Sequence, residues 1–251
     1  MITTWKVMAL KMGELSVEKS SLTYGRDVGK AITIPVWATA IFGDGYKILV
    51  DTGIHDKTWV EEHVCPCNLD SDEYIVEAIK QGLGWNPEDV NIVINTHLHY
   101  DHCGNNRLFK KARFIVQENE WKAAFNPIPS QQDIYLRELF DDHSVDYFSW
   151  KFVNDEAEIL PGLKVFLTPG HSEGHQSVLV KTEEGTLCIS GDVSNLLENI
   201  RENIPAGILT STKEIYESMN KVRRLAQRIL PGHEISIRKY QESNFPMIEK
   251  V

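Results

Sequence analysis

The 251-residue sequence predicts an α/β fold, on three observations. Short β-branched and apolar runs recur along the chain, bounded by Gly, Pro and Asn turns. Helical periodicity interrupts them, most clearly over 212–228, where Ile215, Met219, Val222, Leu225 and Ala226 share one face. Four apolar runs end in His or Asp, at 97–102, 171, 192 and 233. A composition of 42% hydrophobic and 25% charged residues fits a globular chain with a sizeable core. No low-complexity tract, charge block or linker divides it, so residues 1–251 are expected to form one domain.

The elements follow in order. Residues 4–12 alternate loosely and read as a strand, and 13–31, with Gly13, Gly25 and Gly29 among polar residues, as a loop. Residues 32–42 are a β-branched strand. Gly43-Asp44-Gly45 is a hairpin signal, and 47–50 returns as a strand ending in Asp51-Thr52-Gly53. Residues 54–70 look irregular. Tyr74, Ile75, Ala78, Ile79 and Leu83 have helical spacing, which predicts a helix over 72–82. Asn86-Pro87 punctuates before the apolar run 90–95, a buried strand. Residues 113–117 form a short strand, 118–125 a helix closed by Pro127 and Pro129, and 130–150 a mixed segment that is helical in part. Strands follow at 153–159 and 163–167 around Pro161-Gly162, then a hairpin of 176–181 and 186–190 over Glu183-Glu184-Gly185. Residues 193–211 read as loop. The helix 212–228, with its cap among 210–212, leads through Ile229-Leu230 to Pro231-Gly232-His233.

A net charge of −10 argues against a nucleic-acid or anionic-membrane partner. No apolar run approaches the ~20 residues of a membrane span. The start, Met1-Ile2-Thr3-Thr4-Trp5-Lys6, has no basic region leading into a long apolar one, so no signal peptide is expected. Cys65, Cys67, Cys103 and Cys188 do not form a disulfide pattern, which suits a reducing compartment; a cytoplasmic location is expected.

The chemistry is concentrated in Thr96-His97-Leu98-His99-Tyr100-Asp101-His102. Three imidazoles and a carboxylate in six residues, at the end of a buried strand, are a metal site rather than chance histidines in a polar loop. His171, Asp192 and His233 follow three further apolar runs, which brings the set to five imidazoles and two carboxylates. That exceeds what one four-coordinate ion can use and suffices for two. Structural zinc sites are rich in cysteine, whereas histidine and carboxylate leave positions for water and suit hydrolysis.

On Leu49-Val50-Asp51-Thr52-Gly53, the 96–102 motif, Pro169-Gly170-His171, Gly191-Asp192 and Pro231-Gly232-His233, the chain resembles the metallo-β-lactamase superfamily. The resemblance implies an αβ/βα sandwich, with two mixed sheets face to face, helices on the outer faces and metals at one edge. It implies that His97, His99 and His171 bind one ion, that Asp101, His102 and His233 bind a second, and that Asp192 bridges. Asp51 would support a ligand histidine from behind. Ile34-Pro35-Val36-Trp37, 97–106 and Gly170-His171-Ser172-Glu173-Gly174-His175-Gln176-Ser177 are most similar to the N-acyl-homoserine lactonase family. One position departs from that family. A tyrosine commonly lies three residues after the bridging aspartate and hydrogen-bonds the substrate carbonyl; here Asn195 stands there.

The expected function is a metal-dependent hydrolase that opens a lactone ring, an N-acyl-homoserine lactone, as in quorum quenching. Two divalent ions, zinc with iron, cobalt or manganese as alternatives, lower the pKa of a shared water toward ~7. The resulting hydroxide attacks the carbonyl, Asn195 assists its oxygen, and Asp101 returns the proton to the leaving group. Another ester, a thioester or a β-lactam is the alternative substrate, which the missing tyrosine favours. Unclustered basic residues disfavour a nuclease, and His99 disfavours the superfamily's flavin-linked iron enzymes, which carry glutamate there. A non-catalytic binding module would require closed metals, against the excess of histidine and carboxylate over cysteine.

His175 reads as structural, since both ions are already supplied, and Cys103 as a small buried residue. His55, His63 and His143 are expected at the surface or the pocket edge. Cys65-Pro66-Cys67 is a weak signal for an extra ion. Trp37, Trp59, Trp121 and Trp150 are core by default, with Trp59 the candidate for a substrate-pocket wall. A homodimer is a family-level expectation, with 13–31 as the loop to examine.

Overall fold

A computed structural model describes residues 4–141 and 148–248. The strands are β1 Lys6–Glu18, β2 Ala31–Gly43, β3 Tyr46–Val50, β4 Cys67–Asn68, β5 Ile92–Ile94, β6 Arg113–Gln117, β7 Ser149–Val153, β8 Glu156–Leu160, β9 Leu163–Leu167, β10 Gln176–Thr182, β11 Gly185–Gly191, β12 Arg228–Pro231 and β13 Gln241–Glu242. The helices are α1 Lys57–His63, α2 Ile75–Leu83, α3 Tyr100–Cys103, α4 Glu118–Phe125, α5 Leu197–Glu202 and α6 Thr212–Leu225. One sheet runs β13-β1-β2-β3-β5-β6-β7 with β4 paired to β1; the other runs β12-β11-β10-β9-β8. Both are mixed: β3, β5, β6 and β7 are parallel, as are β11 and β12, and the remaining pairs are antiparallel.

Side-chain alternation makes the layers. Val7, Ala9, Ile48, Val50, Ile92 and Ile94 of the first sheet meet Leu163, Val165, Val178, Leu187 and Ile189 of the second in one apolar cluster. The intervening Met8, Leu10, Leu49 and Val93 turn outward, onto Val60 of α1, Ile75, Ala78 and Ile79 of α2 and Ala124 of α4. On the far side, Phe166, Cys188 and Ile229 turn out to Ile200 of α5 and Ile215, Met219 and Val222 of α6. The result is the helix–sheet–sheet–helix sandwich that the resemblance implied, each fully buried aliphatic side chain contributing roughly 1.5–3 kcal/mol.

The strand directions place the chemistry. β9 is antiparallel to β10, and β10 to β11, so β9, β11 and β12 run the same way. β3 and β5 are parallel in the other sheet. The loops after these five strands carry Asp51, residues 97–102, His171, Asp192 and His233.

Several boundaries differ from the sequence expectation. The strand expected over 4–12 runs on to Glu18, through an irregularity between Lys11 and Glu14 where Gly13 takes φ +105°. Of the expected 13–31 loop, only 19–30 lacks strand. Residues 54–70 hold α1, whose N-terminal N–H groups are capped by Asp56, and 193–211 hold α5. The single strand expected over 153–159 is two, β7 and β8, in different sheets; Asp155 turns between them at φ +62°. The last helix ends at Leu225, because 228–231 pair with β11. His143 lies outside the described residues.

Candidate metal centre

Each loop is tied to its neighbours by buried backbone bonds. Asp51 ends β3 at φ +59°, and its Oδ1 accepts the Thr96 N–H at 2.8 Å. Its Oδ2 accepts the Thr96 hydroxyl at 2.7 Å and His102 Nδ1–H at 2.8 Å. Asn105 donates to the Thr52 and Ile54 carbonyls at 2.8 Å, and Asn106 links Thr52 to Asn95. Gly232 is required by proximity: a Cβ there would lie 2.3 Å from Asp192 Oδ1.

The described residues bring three sets of donor atoms together: His97, His99 and His171; His97, His102 and Asp192; and Asp101, His102 and His233. All seven side chains are buried. His97 Nε2 and His171 Nε2 lie 2.9 and 3.1 Å from His99 Nδ1. Asp192 faces both sides. Its Oδ2 is 3.5 Å from His171 Nε2 and 3.3 Å from His233 Nε2, and its Oδ1 is 3.4 Å from His102 Nε2. Asp101 Oδ2 is 3.7 Å from His102 Nε2 and 3.8 Å from His233 Nε2.

The outer ring nitrogens set the tautomers. His171 Nδ1–H donates to the Ile208 carbonyl and His233 Nδ1–H to the Pro35 carbonyl, both at 2.9 Å. His97 Nδ1–H reaches Thr96 Oγ1 at 3.0 Å. With their outer nitrogens donating, His97, His102, His171 and His233 turn Nε2 inward. Among the described residues His102 Nε2 and Asp192 Oδ1 have no hydrogen-bond partner although buried. Buried polar atoms are normally paired; these two, in a cluster of nitrogen and oxygen donors, fit divalent cations.

Ionisation divides the cluster. Burial, reinforced by neighbouring imidazoles, holds His97 and His99 well below the ordinary histidine value, and burial also lowers His171. Burial opposes protonation of His102 and His233 too, but the Asp192 and Asp101 carboxylates outweigh it and raise both. For Asp192, burial is outweighed by His233, His102 and His171, and the carboxyl stays well below the usual range. Burial pushes Asp51 up, with His102 and Thr96 pulling against it.

A sequence profile of the metallo-β-lactamase superfamily matches residues 32–233. The chain belongs to the metallo-β-lactamase superfamily. The N-acyl homoserine lactonase AiiA of Bacillus thuringiensis subsp. kurstaki is 30% identical over 95% of this chain and 96% of its own length. The lactonase AttM of Rhizobium radiobacter is 31% identical over 93% and 94%. A crystal structure of a quorum-quenching N-acyl homoserine lactone hydrolase superposes with a TM-score of 0.84 at 28% identity, covering 97% of this chain and 100% of that one. A second lactone hydrolase structure, with the product N-hexanoyl-L-homoserine at its catalytic metal centre, gives 0.83 at 26%, covering 97% and 100%.

Around the metallo-β-lactamase cluster the remaining expectations divide. His175 is buried; its Nδ1–H donates to the Thr168 carbonyl at 3.1 Å and its Nε2 accepts the Asp192 N–H at 3.0 Å, so it supports Asp192 from behind. Cys103 is fully buried. Asn195 is buried beside His233, whose N–H donates to the Asn195 carbonyl, and its Oδ1 has no partner. Trp37 is buried, whereas Trp59, Trp121 and Trp150 are only partly so. Trp59 stands over Tyr100 at 5.6 Å and with it lines a cleft of ≈ 180 Å³ that also includes His55, Leu136 and Leu139. A larger cavity of ≈ 550 Å³, bounded by Trp5, Phe42 and Phe245, opens at the opposite strand ends. Cys65 and Cys67 are free, and burial pushes both thiols up to about 11, away from the thiolate that binds metal. Among the described residues neither joins a set of donors that could hold an ion, and no helix is long and apolar enough to cross a membrane.

Among the buried acids that went unnoticed in the sequence, Glu120 is fully enclosed. Glu120 shares a helical face with Ala123 and Ala124, three and four residues on, and all three are buried. A carboxylate on the apolar face of a short helix was the available signal.

Proposed function

We propose that the chain is a dinuclear metal-dependent hydrolase that opens N-acyl-homoserine lactones. The convergence of seven buried donors in three overlapping sets carries this reading, and the lactonase relatives support the substrate class. His97, His99 and His171 hold one ion, and Asp101, His102 and His233 the other, with Asp192 between them. Zinc is the first choice, and iron, cobalt or manganese suit the same donors. Bound there, the cations supply hydroxide at neutral pH and a positive field for the carbonyl oxygen. Asp101 accepts a proton and delivers it to the leaving alkoxide. Asn195, buried beside His233, donates its Nδ2–H to the substrate carbonyl. The cleft beside Trp59 and Tyr100 receives the acyl chain. Since the ligands come from both sheets, the working unit is the whole chain as one domain. Four free cysteines fit the cytoplasm.

A second reading keeps the machinery and changes the substrate to another ester or thioester. Asn195 favours it, since a shorter neutral amide replaces the phenol common in the lactonases. Proton release from a panel of N-acyl-homoserine lactones, followed with a pH indicator and with His97→Ala as the blank, separates the two. Fast metal-dependent release establishes the lactonase. No release from protein carrying two ions rejects it and leaves the ester reading.

A further inference from the structure

The chemistry above leaves one fully buried carboxylate without a task. Glu120 sits, fully buried, in the first turn of α4, and each of its oxygens accepts two hydrogen bonds. Oε1 accepts the Leu98 N–H and the Tyr135 hydroxyl, each at 2.9 Å. Oε2 accepts the Ser172 hydroxyl at 2.6 Å and the Gly174 N–H at 3.2 Å. Leu98 lies between His97 and His99, and Ser172 follows His171. One oxygen therefore holds the loop after β5, from the first sheet. The other holds the loop after β9, from the second.

We propose that Glu120 is a positioning residue that fixes the spacing of His97 and His99 against His171, and thereby sets the affinity of the ion these three hold. The inference rests on reading that triad as a metal site.

The donor pattern admits a carboxylate and no amide. Each oxygen faces one backbone N–H, which cannot turn round to accept. A glutamine would direct its NH2 at either Leu98 N–H or Gly174 N–H, leaving two donors opposed in a buried place. Aspartate is one methylene shorter and cannot span both loops from the same backbone position. The β9 loop also rests directly on the helix: a Cβ at Gly174 would lie 1.8 Å from Glu120 N. Residues 131–135, after α4, support two of the same three ligands. The Tyr135 ring meets His99 edge-on, with centroids 4.6 Å apart at 68°, and Gln131 donates to the His171 carbonyl at 2.6 Å.

The effect is confined to one ion. Asp51 and the Pro35 carbonyl back His102 and His233, and Glu120 makes no bond to either. A general loss of stability would weaken both ions together. A positioning role weakens one.

The test measures both metal affinities of the full chain by competition with a chromophoric chelator, in wild type, Glu120→Gln, Tyr135→Phe and Ser172→Ala. The visible spectrum of the cobalt-loaded proteins and the melting of the metal-free proteins are read alongside. Glu120→Gln is expected to weaken the triad's ion by ~10-fold, the lower end of the cost of losing a ligand's own outer partner since Glu120 acts through the ligands' neighbours, and to shift the cobalt bands of that site. The other ion keeps its affinity. Tyr135→Phe and Ser172→Ala, each removing one donor, show the same selectivity at smaller size, and they decide the matter if Glu120→Gln does not fold. Equal weakening of both ions, or unchanged affinities in the folded variants, overturns the positioning role. Wild type that binds no ion at the triad fails differently, by removing the metal reading itself.

Discussion

The two halves of the cluster are built from the same imidazole but prepared in opposite ways. On one side His97, His99 and His171 are buried mainly among each other and held neutral. On the other, His102 and His233 are buried just as deeply, but Asp101 and Asp192 stand beside them and draw protons on. Burial penalises a charge, and here the nearby carboxylates reverse the penalty. The first half thus offers lone pairs ready for a cation, while the second must exchange protons for one. Asp192 is the carboxylate that faces imidazoles of both halves, within 3.5 Å of His171, His102 and His233.

The largest effect is expected from breaking that shared element. Asp192→Asn removes a charge from both halves, and hydrolysis should fall on the order of 10³-fold or more, since a cation's transition-state stabilisation is worth several kcal/mol. Steady-state rates at saturating metal check this; a loss below tenfold would show that the halves do not depend on the bridge.

Asn195 lies on the second side, and Asn195→Ala should lower kcat by ~10²-fold, as for loss of one donor to a developing oxyanion. Metal content should stay the same, as measured by elemental analysis. An unchanged kcat would remove Asn195 from the reaction.

Asp51→Asn sharpens the contrast, because Asp51 backs only His102 of the second half directly. The second ion should weaken by ~10–100-fold and the first far less, as read by chelator competition. Equal losses would show that Thr96, which bonds both Asp51 and His97, transmits the change to both halves.

The pH dependence follows from the raised values of His102 and His233. These imidazoles keep their protons above the ordinary histidine pKa of ~6.5, so a cation must displace them. Affinity for the second ion therefore rises with pH through that range. The first ion, bound to imidazoles that stay neutral, is flat there. Calorimetry in two buffers of different ionisation enthalpy counts the protons released; equal counts for both ions would erase the distinction.

The smallest effect concerns the thiols on the second side. Replacing Cys65 and Cys67 together by Ser should leave the number of bound ions unchanged, since thiols pushed up to about 11 are not thiolates at neutral pH. Loss of an ion would restore them as ligands.

The cluster was far more legible in the sequence than the structure around it. Four of the seven ligands sit in one hexapeptide, and the other three each follow an apolar strand, so contiguity and strand polarity reveal them together. Glu120 was invisible because its partners, Leu98, Tyr135, Ser172 and Gly174, come from three separate segments and two of them bond through the backbone. Gly13 read as the start of a loop because a bulge and a turn share the same residue preference; pairing with β2 and β4 decides for the strand. The β7–β8 switch was hidden because Asn154-Asp155 carries no Gly or Pro, and Asp155 accepts the left-handed turn itself. α1 is seven residues long and shows too little periodicity to separate it from a loop; its evidence is the Asp56 cap.

The most direct test follows acid release from N-hexanoyl-homoserine lactone while metal is added back to metal-free protein in counted equivalents. A two-ion centre predicts little hydrolysis at the first equivalent, when the neutral triad fills, and a rise to full rate at the second. Full activity at one equivalent, or none at two, would contradict it.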